Sequence, residues 1–414
     1  MLHINRIWRV GTLCVALAIL AACNGLSSSP NAAPTSVSGS AETPPALLYL
    51  KDGGWYERVD GSTTRRISQH PVGTAPASGT VIASTVVDDT LVVLYSLGRI
   101  EQIALTDGAE LSAVGFAEPA LSAQLTVLPD NARMIYTALI DDPNAQFGQG
   151  TLIGIYDLAS NMVQAFSPFD QSILLIGVSV DGNNLYLLPR GQDPAYGTVQ
   201  VFGIASGQIE GEIEVRGYGA PHLAPNGQRL VTVDEAGVAS LYDLAAASPA
   251  PQQIPTPDPS GHVCQSDWSA DSRSIYLTVC AGNLARMTGT LSSSTGLWRF
   301  DVETAELTRI SAGVQDQQPF VTSNGTQLLF WHSGTQEANL IDMAAGSIQS
   351  VSLPAEMTPT EPTAYPPVAS LSPNGRWLFV WDSREEMADL VDLAIGTHDR
   401  FALESNPGQP IIWR

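Results

Sequence analysis

Short unbroken apolar runs recur along the chain, each entered through a polar reversal and followed by a second run that ends on another turn. The clearest copy is Ser372-Pro373-Asn374-Gly375, then Trp377 to Trp381, then Leu390-Val391-Asp392-Leu393 with Gly396. Pro373 presets φ near about −65°, and Asn374 and Gly375 tolerate left-handed backbone, so the tetrapeptide predicts a hairpin. An apolar run without alternation, bounded by turn signals, predicts a strand buried on both faces rather than a helix. Asp392 opens the next turn, its carboxylate placed to accept from backbone N–H groups two residues on.

The same order of parts precedes it. Ser323-Asn324-Gly325 leads to Leu328 and Leu340-Ile341-Asp342; Ser269-Ala270-Asp271-Ser272 leads to Ile275 and Leu297 to Asp301. Ala224-Pro225-Asn226-Gly227, Val180-Asp181-Gly182-Asn183 and Leu128-Pro129-Asp130-Asn131 open earlier copies, and weaker ones begin near Leu91 and Leu47. Starts near residues 47, 91, 134, 185, 229, 275, 327 and 377 are spaced as the blades of a four-stranded propeller, which run about 40 to 50 residues. The expected fold is all-β, a single eight-bladed β-propeller of four-stranded blades, with seven blades the alternative. Gln409 to Trp413 resembles the strand that precedes each reversal, and the copy at Leu47 lacks such a strand. Pairing of the two termini would close the ring and remove open sheet edges.

The reversal Ser-Pro-Asp/Asn-Gly, the buried strand and the aromatic-x-Asp strand end together resemble the WD-repeat-like blades of TolB-type proteins. The resemblance runs from Leu47 to Arg414 and implies the fold; propellers of this kind serve as scaffolds, receptors, lactonases and peptidase domains, so it implies no single activity. TolB has fewer blades and a separate N-terminal domain, neither matched here, and its partners are not carried over.

Composition narrows the setting. Nineteen Lys and Arg face 41 Asp and Glu, for a net charge of −22. Arg6 and Arg9 are the only charged residues before Cys23, so a chain beginning there carries −24. With Lys51 the only lysine, clustered cations for phosphate are lacking and no nucleic-acid partner is expected. Arg6 and Arg9, the apolar Val10 to Leu20 and then Leu20-Ala21-Ala22-Cys23 resemble a bacterial lipoprotein signal. The apolar stretch falls short of the roughly 20 residues that a spanning helix needs. Residues 1–22 are thus expected to be a signal peptide, Cys23 the lipidated residue, 23–45 a Ser-, Ala- and Pro-rich tether, and 46–414 the propeller. That places a monomer outside the cytoplasm, held to the cell membrane or outer membrane by its lipid.

Cys264 and Cys280 remain, equidistant in sequence from Ser272 inside one reversal. Strands paired symmetrically about Ser272 would set them opposite each other, and an oxidising compartment then favours a disulfide over two free thiols. His70, His222, His262, His332 and His398 show no metal-ligand spacing, no Gly-x-Ser-x-Gly elbow occurs, and acidic loops lack the calcium-loop ladder. Neither a metal nor a cofactor is expected, and no catalytic residue is assigned. Binding residues are sought on the long connections that join the second to the third strand of a blade, and one blade to the next. Arg190, Asp193, Tyr196 and Arg286 lie on the former; Tyr218, Asp316 and Tyr365 lie on the latter, at the same opening. An arginine beside a tyrosine suits an anionic or planar group. The reading is a binding or scaffold module for a protein or envelope ligand. A hydrolase, lactonase-like or glycan-cleaving, with its site in the central channel is one alternative, and a structural envelope spacer is another.

Overall fold

Each buried run becomes the second strand of a sheet. In a computed structural model the structure describes residues 46–413 except 52–53, 59–63, 68–79, 116–118, 146–147, 167–168, 190–195, 217–218, 235, 247–248, 257–260, 282–293, 312–315, 322–324, 333–336, 344–346, 353–367, 373, 383–386, 395–396 and 403–411. Among these the chain forms eight four-stranded antiparallel sheets and no α-helix.

Blade one contains β1 (Leu47–Lys51), β2 (Gly54–Arg58) and β3 (Thr64–Arg66). Blade two follows with β4 (Val81–Val87), β5 (Thr90–Tyr95), β6 (Arg99–Ala104) and β7 (Glu110–Gly115), and blade three with β8 (Ala120–Val127), β9 (Arg133–Asp141), β10 (Gln149–Asp157) and β11 (Met162–Ala165). Blade four is β12 (Ile173–Val178), β13 (Asn184–Pro189), β14 (Tyr196–Gly203) and β15 (Gln208–Arg216); blade five is β16 (Gly219–Leu223), β17 (Arg229–Val233), β18 (Ala239–Asp243) and β19 (Gln252–Gln253). Blade six is β20 (Gly261–Trp268), β21 (Ser274–Ala281), β22 (Ser294–Asp301) and β23 (Leu307–Ser311); blade seven is β24 (Asp316–Val321), β25 (Gln327–His332), β26 (Glu337–Asp342) and β27 (Ile348–Ser352). Blade eight is β28 (Val368–Leu371), β29 (Trp377–Asp382), β30 (Met387–Asp392) and β31 (Thr397–Ala402), after which β32 (Ile412–Trp413) returns to blade one.

The core lies in the seams between blades. Leu378 and Val380 share an apolar cluster with Leu329 and Leu340 of blade seven, while Phe379 packs with Leu47 and Tyr49 of blade one. The run is therefore buried on both faces, which is why it shows no alternation. Comparable clusters join blades one and two, two and three, three and four, four and five, and five and six. First strands of neighbouring blades approach one another, β4 with β8, β12 with β16, β16 with β20 and β20 with β24, as strands around one axis do.

Closure follows the expected route. β32 pairs antiparallel with β1, Leu47 opposite Trp413 and Leu48 opposite Ile412. The Trp413 indole N–H donates to Ser370 Oγ in blade eight at 2.9 Å, just as the Trp268 indole donates to the His222 carbonyl in blade five at 3.0 Å. The two tryptophans hold equivalent places, each stitching an innermost strand to the blade before it.

One expectation about register needs correction. The ladder sets Cys280 opposite His262, and Cys264 falls where a β-bulge separates Val263 from Gln265. Similar irregularities interrupt the first strands β4, β8, β12, β16 and β24. A bulge adds a residue to one strand only, so a symmetric count through the turn loses register beyond it. Cys264 and Cys280 are therefore not directly opposed in the backbone ladder; their side chains lie outside the described residues.

Candidate functional site

The two ends of the ring differ because their connections differ. At one end the first strand of every blade but blade one turns into the second, and the third into the fourth, through short reversals. The former share one bonding scheme: the Gly182 N–H donates to the Ser179 carbonyl, Gly227 to Ala224, Ser272 to Ser269 and Gly375 to Ser372. Side chains reinforce it. Ser372 Oγ donates to Asn374 Oδ1 and accepts from the Trp377 N–H, each at 2.8 Å, and Ser179 and Ser269 make the same pair of bonds with Asp181 and Asn184, and with Asp271 and Ser274. The Ser179 hydroxyl, with Asn183, holds the Asp181 carboxyl below its usual range. Successive reversals also touch, since a Cβ at Gly227 would stand 2.7 Å from Val180 N and one at Gly325 would stand 2.8 Å from Ala270 Cβ. These turns are occupied with one another.

Long connections leave from the other end. Residues 190–195, 282–293, 67–80 and 353–367 join second to third strands or one blade to the next. Tyr196 begins β14 opposite Arg216, and Asp316 begins β24 opposite His332, so both backbone positions stand at that end of their blades. The side chains of Tyr196 and Asp316 lie outside the described residues, as do Arg190, Asp193, Tyr218, Arg286 and Tyr365 entirely. Cys23 also falls outside them.

The inner wall carries polar groups not singled out from the sequence as binding residues. His222 on β16 and Asp267 on β20 occupy the same place, each one residue before the end of its strand. They face different seams. His222 stands opposite Val231, which packs toward blade six, whereas Asp267 stands opposite Tyr276, which packs toward blade seven. Burial lowers the His222 imidazole pKa against the opposing hydrogen bond to the Ser266 backbone, so the ring is held neutral. Burial likewise pushes the Asp267 carboxyl well above its usual range, although its bond from the Trp268 N–H favours the charged form. Among the described residues, no three His, Cys, Asp or Glu side chains converge as metal ligands would. The available signal in the sequence was the polar identity of His222 and Asp267 just before a reversal, where neighbouring copies carry Gly177 and Phe320.

No family model matches the chain, and no curated protein matches it in sequence. Solved structures do. A crystal structure of the eukaryotic initiation factor is 11% identical with a TM-score of 0.57, covering 90% of this chain and 98% of that one. The computationally designed Ika8 protein is 12% identical with a TM-score of 0.50 over 79% of this chain and 88% of that chain. TolB from Acinetobacter baumannii, 13% identical over 80% of this chain and 81% of its own, has a TM-score of 0.40. At such identities the likeness is one of fold alone.

Proposed function

We propose that this chain is a lipid-anchored, extracytoplasmic propeller that acts as a binding or scaffold module for a protein or envelope component, and that the partner docks on the end bearing the long connections. The observation that carries this reading is the asymmetry of the ring. One end is committed to short, mutually packed reversals; the other presents long segments on a rigid frame, where binding residues concentrate. The acidic balance supports a partner other than nucleic acid. Lipidation at Cys23 and a tether over 23–45 would hold the ring off a membrane with that end free to dock.

Crosslinking in intact cells, followed by identification of the recovered partner, tests the proposal. The Arg190→Ala, Arg286→Ala double variant should lose recovery while its stability stays within about 0.5 kcal/mol of wild type, as surface substitutions usually do. Undiminished recovery would remove the partner from that end. Anchorage has its own test: Cys23→Ser should abolish metabolic lipid labelling, and wild-type labelling of that variant would overturn it.

A further inference from the structure

In the seam between blades five and six, two enclosed side-chain atoms have no hydrogen-bond partner among the described residues: His222 Nδ1 and Ser266 Oγ. They come from adjacent innermost strands. His222 stands opposite Val231 and Ser266 opposite Leu277, and Val231 and Leu277 belong to the one apolar cluster that fills this seam. The His222 ring itself hydrogen-bonds to the Ser266 backbone, so the two residues are in contact. The Trp268 indole, reaching from β20 to the His222 carbonyl at 3.0 Å, locks the two strands in this alignment.

We infer that this seam seats a neutral O–H group, which donates to His222 Nδ1 and bonds Ser266 Oγ. The chemistry follows from which nitrogen is committed. The bond to Ser266 favours the charged imidazole, hence it runs to a carbonyl, and with Nδ1 unpartnered Nε2 is the nitrogen that donates. A neutral ring then turns a bare lone pair into the seam at Nδ1, which calls for a donor. An anion offers none. Ser266 Oγ can donate or accept, so a single hydroxyl-type group satisfies both residues. Enclosed polar atoms in native proteins are rarely left unpaired, and water or a ligand hydroxyl is the usual remedy. The O–H has two sources: an enclosed water, or a hydroxyl of a neutral polyol entering from the channel.

Crystals of the propeller that resolve ordered water provide the test. A peak within about 2.7–3.2 Å of both His222 Nδ1 and Ser266 Oγ is expected, displaced or lost in Ser266→Ala. Absence of the peak in wild type, or a ring orientation in which Nδ1 meets a protein group, overturns the inference. Soaking in glycerol separates the sources, because extended density replacing the peak marks a ligand hydroxyl and an unchanged peak marks water. A solution arm uses the unfolding constants of Ser266→Ala, His222→Phe and the double variant. A shared O–H makes the double effect differ from the product of the singles by at least about twofold, whereas a simple product counts against it. Should His222→Phe fail to fold, His222→Leu, which likewise lacks the acceptor, takes its place in the cycle.

Discussion

Two glycines show how one residue type answers two demands. Gly227 has φ of +66° and a Cβ there would press on Val180 N and Val178 O, while Gly148 has φ of +71° with nothing within 4 Å. Gly148→Ala should cost about 1–2 kcal/mol, the left-handed backbone alone. Gly227→Ala should cost clearly more, because backbone of the preceding blade must also shift. Urea unfolding of the pair checks this, and equal losses would mean that turn-to-turn contact carries no energy. Asp267 offers a test in pH. Its folded pKa is raised, so below the unfolded value of 3.8 both states are protonated and no penalty exists. As pH climbs past 3.8 the unfolded chain releases its proton first, and stability falls until the folded pKa is passed. Asp267→Asn should accordingly gain stability over wild type as pH rises from about 4, with the gain vanishing in acid. Melting temperatures taken across that range decide it; a constant offset would refute the raised pKa. His222 acts in the opposite window, because its folded pKa is lowered from 6.5 and stability is complete above that value and lost as pH falls.

At the scale of elements, the blade is a hairpin pair fastened at both turns. Asp392 accepts from the Ala394 N–H at 2.9 Å and receives Arg376, while Asp301 accepts from Glu303 and Thr304. The residue after each such aspartate donates back to the earlier reversal, Leu393 to the Arg376 carbonyl and Val302 to that of Arg273. Turn chemistry thus ties the third strand to the first reversal. Ser372 is fully buried, and its hydroxyl serves both Asn374 and the Trp377 N–H. Ser372→Ala should therefore cost about 1–3 kcal/mol through the unmet donor at the start of β29, read by chemical denaturation. The exposed outermost strands are guarded differently. β15 is nine residues long and alternates Glu210, Glu212 and Glu214, a spacing that discourages pairing with a further strand.

For the whole molecule the decisive junction is blade one. Its last strand-forming residues sit at the far end of the chain, and its charged groups reach both ways. Arg58 pairs with Asp399 and lies 4.9 Å over the Phe401 ring in blade eight. Arg65, held by Glu57, donates to the Thr106 carbonyl in blade two at 2.7 Å. Truncation after Pro410 removes two half-buried large side chains and the β1 ladder, and should cost about 2–4 kcal/mol at roughly 1.5–3 kcal/mol per fully buried side chain. Trp413→Phe separates packing from bonding: it loses only the indole bond to Ser370, about 1 kcal/mol. An unchanged melting temperature in the truncated chain would mean that the ring does not depend on its termini for closure.

The amino-acid sequence alone located the buried strands and the reversals and pointed to eight blades closed by the termini, because each rests on local chemistry repeated along the chain; the structure settled eight over seven. Ser372-Pro373-Asn374-Gly375 reverses the backbone wherever it stands, and a run such as Leu378-Phe379-Val380 must be covered on both faces. Trp413 was legible as a displaced strand because Trp268 holds the same place before a reversal. Tertiary structure alone decided the register of the innermost strands. Their bulges answer the crowding and twist around the axis, so the offset of Cys264 from Cys280 is absent from any symmetric count. It also decided the meeting of His222 with Ser266, 44 residues apart in different blades. Neither residue's neighbours in sequence say which seam it enters; that is set by strand alternation beyond a bulge and by the approach of β20 to β16.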